Sequence, residues 1–455
     1  MIDFSFKRLD DVVKRVKVGF VGSVNNFYCD SDVPDSVPII RTTDIEDFDL
    51  NKLKYVTREF HDKNKKSQIF KGDLIIARHG TNGNAMIYDL EEEAQVLNAV
   101  IIRPDLNKIS PSVLKLHFDS PYIKNQIKGS VKGSIQGVIN TKHVANLMIP
   151  ICESINYSSV ASIISSLDTK IELNNKINQE LESISKTIYD YWFVQFDFPD
   201  PNGKPYKASG GKMVYNKNLK KEIPEGWQDK TIADWIEKDK SGDWGKESKQ
   251  GNYTEQVSCI RGADINGLNG NGVVKAPERF ILEKNTHKLL EQGDLIIEIS
   301  GGSPTQSTGR MAFITQETLE RFENPLICSN FCKAVTLKDE TYLYNFVYQW
   351  NRIYDAGVLF GWEGKTSGIK NLLFENFVTN YKTVFPKKDI VEKFYQKIKP
   401  IHAKKQKNLQ ENQKLADLRD WLLPMLMNGQ VTVKEAQEHI NQAAEPQENY
   451  SVNSK

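Results

Sequence analysis

No run of eighteen apolar residues occurs in the 455-residue chain, so no segment is long and apolar enough to be read as a membrane-spanning helix. The opening MIDFSFKRLDDVVKR lacks the basic-then-apolar order of a secretory leader. Cysteine is scarce. Cys29, Cys152, Cys259, Cys328 and Cys332 are odd in number and lack framework spacing, which fits a reducing compartment and an expected cytoplasmic location. An excess of one charge is also missing: 60 Lys and Arg face 59 Asp and Glu, for a net charge of +1. That balance lacks the overall basic footprint common in nucleic-acid binders. Locally the picture differs, because residues 120–152 hold no acid while Lys124, Lys128, Lys132 and Lys142 fall inside them.

Catalytic patterns are absent as well. GWEGKTS at 361–367 ends like a phosphate-binding loop, but the glycine needed five residues before Gly364 is Leu359, so the usual cradle cannot form. Asp294 and Glu298 in GDLIIEIS resemble nuclease carboxylates. No lysine follows at the required spacing, and the matching stretch nearer the N-terminus reads Ala77-Arg78, so they are expected to be solvated turn residues. Cys328 and Cys332 form a lone C-x3-C, the seven histidines are dispersed, and no dinucleotide fingerprint appears. These features describe a binder, with no cofactor and no metal of its own.

What the chain has is repetition. KGDLIIARHG (71–80) nearly recurs as QGDLIIEISG (292–301), VPIIRTTDI (37–45) as VSCIRGADI (257–265), and RLDDVVKRVKVG (8–19) as TIADWIEKDKSG (231–242). GNAMI (83–87) resembles GRMAFI (309–314), and GVIN (137–140) resembles GIKN (368–371). Order is kept while the offset grows from about 220 to 231, as surface insertions would produce. Five ordered matches indicate duplication. Arg41 and Arg261 recur in both copies, and for them a structural ion pair competes with a phosphate contact.

Each copy is followed by a helical pattern. Ile163, Leu167, Lys170, Asn174, Ile177, Leu181, Ile184, Ile188 and Tyr191 step by three and four, the period of a coiled-coil seam with two polar positions. A second, less regular helix is expected over about 389–427, with Lys405, Asn408 and Asn412 on its seam. Prolines 199, 201 and 205 end the first helix, and the second copy starts near EIPEGW at 222–227. The final residues are polar and expected to be disordered. Within each copy, Gly-Asp opens a short apolar strand, so the fold class expected is α+β.

The junction LDTKIELNNKINQELESISKTIYDYWFVQFDFPDPNGKPYKASGGKMV, the paired KGDLIIARHGT and QGDLIIEISGG, and the terminal LRDWLLPMLMNGQV resemble the specificity (S) subunits of Type I restriction–modification systems, over nearly the whole chain. The resemblance implies two pseudo-repeated target-recognition domains separated by two long antiparallel helices forming a coiled coil. On it we place a first recognition domain at 1–152, a central conserved helix at 153–198 and a linker at 199–226. A second recognition domain follows at 227–386, then a C-terminal conserved helix at 387–430 and a polar tail at 431–455. It further implies a non-catalytic DNA-binding subunit reading one half of a bipartite, asymmetric duplex site with each domain. Two methyltransferase (M) subunits and restriction/translocase (R) subunits would be its partners. S-adenosylmethionine, ATP and Mg would be held by those partners, and no membrane is involved. A helix from 163 to 191 spans about 44 Å at 1.5 Å per residue, against about 34–36 Å for one duplex turn, so it can act as a spacer ruler. Two other readings stand beside this one: the specificity subunit of a different methylase–nuclease assembly, and a coiled-coil scaffold that binds no DNA.

The segments just after the repeated strands diverge, and that is where DNA-facing side chains are expected. In the first copy these are Arg78, His79, Thr81 and Asn82; in the second, Ser300, Ser303, Thr305, Gln306 and Arg310. Arg can read guanine through two hydrogen bonds, and Asn or Gln can read adenine. The glycine-rich KGSVKGSIQG adds Lys128, Lys132, Ser134 and Gln136, and its counterpart EGKTSG adds Lys365, Thr366 and Ser367, with the lysines suited to phosphates.

Overall fold

The computed structural model describes residues 4–45, 48–78, 83–132, 138–301, 303, 305–366 and 368–444. The chain forms two compact units, Met1–Ile171 with Lys414–Lys455, and Glu172–Gln413.

In the first unit a four-stranded sheet runs in the spatial order Val13–Val18, Ala99–Pro104, Leu74–Ala77, Ala85–Ile87. In the second, Ile236–Ser241, Cys332–Leu337, Leu295–Glu298 and Met311–Phe313 take the same order. Each unit also holds a second sheet, five-stranded in the first and three-stranded in the second, with one parallel pair at equivalent places, Ile39 opposite Gln95 and Cys259 opposite Ile327. The sequence repeat is therefore a repeat of topology.

The strand after each Gly-Asp is apolar at every position because both its faces are covered. Leu74 and Ile76 enter one core of the first unit, while Ile75 and Ala77 enter the other. Leu295 and Ile297 likewise split from Ile296 in the second unit. The turn before the strand needs glycine. Gly72 and Gly293 both sit at φ +89°, in the left-handed region, and donate to Tyr88 O and Ile314 O at 2.8 Å. The aspartate then closes the turn: Phe70 N–H reaches Asp73 Oδ2 at 3.0 Å, and Glu291 N–H reaches Asp294 Oδ2 at 2.9 Å. Both carboxylates are buried and neutralised. Arg103 holds Asp73 at 2.8 and 2.6 Å, and Asp294 takes Lys240 at 3.0 Å and the Thr336 hydroxyl at 2.6 Å. Asp294 and Glu298, expected in solvent, are thus 1% and 6% exposed. The expectation fails because the basic partners, Lys240 for Asp294 and Arg310 for Glu298, stand 54 and 12 positions away.

The Ile-Arg-x-x-Asp-Ile repeat is a local clasp. Asp44 accepts the Arg41 backbone N–H at 2.8 Å and its guanidinium at 2.9 and 2.6 Å; Asp264 does the same for Arg261 at 3.0, 2.8 and 3.1 Å. The ion-pair reading of these arginines holds.

Two long helices, Tyr157–Tyr189 and Lys388–Met427, pack together. In the first unit Arg419 meets Asp168 at 2.8 Å. In the second, Asn174 meets Asn412 at 2.9 Å, Asn178 meets Asn408 at 2.8 Å, and Glu182 meets Lys405 at 2.8 Å. Partner numbers fall as first-helix numbers rise, so the pair is antiparallel. Asn174, Lys405 and Asn408 occupy the buried face as expected, but Ile177, Ile184 and Tyr191 are 36%, 48% and 39% exposed, and Asn178, Ser185 and Tyr189 are buried instead. A straight helix drifts from a strict heptad by about 20° per seven residues. Because the face is polar, apolar spacing could not track it. Replacing Asn408 by Leu alone should destabilise the second unit by about 2 kcal/mol, since Asn178 Oδ1 is left buried without its donor. Adding Asn178→Leu should recover at least about 1 kcal/mol of that loss. Strictly additive losses in urea titrations would count against a coupled pair.

The segment read as a polar tail from 431 contains a helix, Val433–Ala444. Thr432 Oγ1 accepts the Glu435 N–H at 3.3 Å, while Glu435 accepts the Thr432 N–H at 2.8 Å, a reciprocal N-terminal cap. Ala436 is fully buried and Ile440 packs on the first unit's core.

Candidate nucleic-acid interface

The first unit's expected readers are divided. Arg78 follows the buried strand and is tied back, its guanidinium 3.3 Å from Asn98 Oδ1 and 3.4 Å from Ile139 O. Ile139 N–H in turn reaches the Arg78 carbonyl at 3.1 Å, joining the two candidate segments of this unit. His79, Thr81, Asn82, Ser134 and Gln136 lie outside the described residues. Lys128 is exposed on the acid-free helix Pro121–Lys132, with Lys132 at that helix's last position. Lys128→Ala should weaken binding to any duplex by about the same few-fold factor and lower the salt slope by about one counterion. An unchanged slope in salt titrations would remove Lys128 from the interface.

In the second unit the loop after Leu295–Glu298 is braced from two sides. The hairpin of Glu363–Thr366 and Ile369–Leu372 pairs with Ser300–Gly301. Glu363 Oε1 accepts the Thr308 N–H at 2.7 Å and its hydroxyl at 3.1 Å; Lys370 donates to Gln306 O at 3.2 Å and pairs with Glu363 at 3.3 Å. The Ser300 hydroxyl donates to Asn371 Oδ1 at 2.6 Å. From the helix Leu343–Asp355, Trp350 Nε1–H reaches Gly309 O at 2.7 Å. The GKT stretch is therefore strand, with Lys365 opposite Lys370 and Thr366 opposite Ile369, and Ser367 lies outside the described residues.

Arg310 is committed inward. Its guanidinium makes two bonds of 2.8 and 2.7 Å to Glu298, and the two side chains are 16% and 7% exposed. The Glu298 carboxylate holds the Arg310 guanidinium above its ordinary range, against desolvation. Arg310 therefore stays charged at any working pH. This arginine shapes the loop. Thr305 and Gln306 are exposed at its tip, where the Ser303 hydroxyl accepts the Gln306 N–H at 3.2 Å.

Sequence reasoning missed the aromatic rim beside this loop. Trp244, Phe331 and Ile369 are 37%, 54% and 42% exposed and border a cleft of about 610 Å³ that also meets Ser300, Asn330 and Glu298. Arg279 lies 4.0 Å over the Trp244 ring and fixes it. Nothing in a single sequence separates an exposed Trp from a core one. Among the described residues no cluster of His, Cys, Asp and Glu could hold a metal ion, and no helix is long and apolar enough to cross a membrane.

Comparison with known proteins places this geometry. Residues 1–183 match the family described as the Type I restriction modification DNA specificity domain. The Type I restriction enzyme HindI specificity subunit of Haemophilus influenzae is 24% identical over 415 residues, covering 80% of this chain and 88% of that protein. The MjaIX specificity subunit of Methanocaldococcus jannaschii is 25% identical over 280 residues, which span 61% of this chain and 59% of that relative's length. In fold, the crystal structure of the S subunit of a Type I system from M. genitalium aligns over 93% of this chain and 96% of its own, with a TM-score of 0.53 at 14% identity.

Proposed function

Because the chain belongs to the specificity subunits of Type I restriction–modification systems, we propose that it reads a bipartite, asymmetric duplex sequence, one half with each unit. The observation that carries this reading is a duplicated scaffold bearing unlike loops: the same sheet order in both units, with Arg78 and the acid-free helix in one and the hairpin-braced 300–310 loop in the other. Equal scaffolds suit the repeating backbone of a duplex, and unequal loops suit unequal half-sites. Phosphate contacts from Lys128, Lys132 and Lys365 would set position, while polar groups at the loop tips would read base edges.

The long helices would fix the gap between half-sites, which a flexible linker could not do. Leu173, Ile177 and Ile184 leave an apolar stripe 50%, 36% and 48% exposed on the first helix, which supports docking of methyltransferase subunits there. Those subunits would bring S-adenosylmethionine, and restriction/translocase subunits would bring ATP and Mg. This chain would hold no cofactor and perform no bond-making step.

Mapping methylated bases in the host with and without the gene tests the reading. One motif with two different halves and a constant gap should vanish on deletion. An unaltered methylome would contradict it, and a continuous, ungapped motif would contradict the ruler.

A further inference from the structure

Most of the polar side chains on the second unit's loop are already spent within the protein. The Ser300 hydroxyl goes to Asn371 at 2.6 Å, and the Arg310 guanidinium goes to Glu298 at 2.8 and 2.7 Å. Ser303 Oγ holds the Gln306 N–H at 3.2 Å and stands 3.5 Å from the Thr305 hydroxyl. Gln306 differs. It is exposed, and its carboxamide meets no partner among the described residues.

The backbone beneath that carboxamide is pinned. Its N–H is taken by Ser303, and its carbonyl accepts from the Lys370 ammonium at 3.2 Å. The chain then enters the protein at once, with Ser307 and Thr308 4% and 1% exposed. The Tyr354 hydroxyl donates to Ser307 O at 3.4 Å, and Glu363 accepts the N–H and the hydroxyl of Thr308 at 2.7 and 3.1 Å. Lys370 and Glu363 pair at 3.3 Å with side chains 14% and 6% exposed, so one nearly buried ion pair grips the backbone on both sides of Ser307. A glutamine on a fixed backbone loses only side-chain freedom on binding, where a mobile loop would lose far more. The carboxylates beneath the loop, Glu298 and Glu363, are each matched by a cation, so neither sets an unbalanced negative charge against a phosphate backbone.

Resting on the reading of a bipartite duplex site, we propose that Gln306 is a specificity-determining residue that selects an adenine in the major groove. Lys370 and Glu363 are positioning residues that act through it. A carboxamide matches the adenine edge, its N–H donating to N7 and its oxygen accepting from the N6 amino group. Guanine carries the O6 acceptor at the second place and would set oxygen against oxygen.

The full-length chain and duplexes carrying the site mapped from the host test this. Each adenine is replaced in turn by 7-deazaadenine, which exchanges the N7 acceptor for C–H and leaves base pairing intact. At one position in one half-site the affinity should fall by about fivefold. Gln306→Ala should weaken the natural duplex by about tenfold and show no deaza penalty at that position. It should melt at the native temperature, because the side chain is exposed. Lys370→Met and Glu363→Ala should each shrink the penalty and Lys370→Arg should restore it, which a role in folding alone would not produce. Equal penalties in the native chain and in Gln306→Ala, or no sensitive adenine in a site the chain binds, would overturn the assignment. Unchanged penalties in both Lys370→Met and Glu363→Ala would take the ion pair out of the presentation. A chain that holds the mapped duplex no better than unrelated DNA would instead overturn the bipartite reading itself, so the two can fail separately.

Discussion

Acidification from about pH 7 to about pH 4 should destabilise both units, each in large part through one buried histidine. His117 in the first unit is 1% exposed, and His402 in the second is 2% exposed. Burial holds both imidazoles at about 4, against an ordinary 6.5. Around His402, Glu182 opposes the shift and Lys405 reinforces it, while the Tyr348 hydroxyl lies 2.9 Å from Nε2 and the Tyr344 ring stacks on the imidazole. His117 faces the Tyr157 ring. The sign follows from proton uptake. Between 6.5 and about 4 the unfolded chain binds a proton that the folded chain refuses, so stability is full above about 6.5 and falls as pH drops. Each histidine contributes about 3 kcal/mol by the lower limit. Urea titrations across this window should show the slope roughly halved for the second unit in His402→Gln and for the first in His117→Phe. Slopes unchanged in both variants would assign the acid sensitivity to carboxylates.

Arg310→Ala should cost the second unit about 3 kcal/mol, because it strands the nearly buried Glu298 carboxylate without its partner. Arg310→Lys should recover only part of the loss, since one ammonium cannot reproduce two parallel bonds. DNA affinity should fall only as far as the folded fraction falls. A variant that stays fully stable in urea yet loses its duplex would make Arg310 a base reader and overturn the inward assignment.

The scaffold was legible in the sequence to the extent that its determinants are local. Gly-Asp followed by an apolar run announced the turn and strand because the φ of +89° and the aspartate's bond to the backbone N–H are settled within four residues. The Arg-x-x-Asp clasp is equally local. Thr432-Val-Lys-Glu435 carried the signature of a helix start that composition masked. What stayed hidden depends on partners distant along the chain. Lys240 and Arg103 reach their aspartates from other strands, and Glu363 grips Thr308 across 55 positions. The helix face eluded apolar periodicity because asparagines fill it. At the candidate interface, spacing placed loops after each strand, yet it could not tell that Arg310 turns inward or that Trp244 and Phe331 stand in solvent.

Within each Arg-x-x-Asp clasp the bonds between its own two residues close inside four consecutive positions, and Asp264 takes one further N–H, from Lys275 at 2.9 Å. Their stability therefore makes no demand on the variable segments further along. On the proposed function, a lineage could swap one of these loops for an unrelated one, through crossover between sister genes, and keep the chassis in working order. New sequence preferences would then arise by recombination of whole parts rather than by slow revision of a single fitted surface.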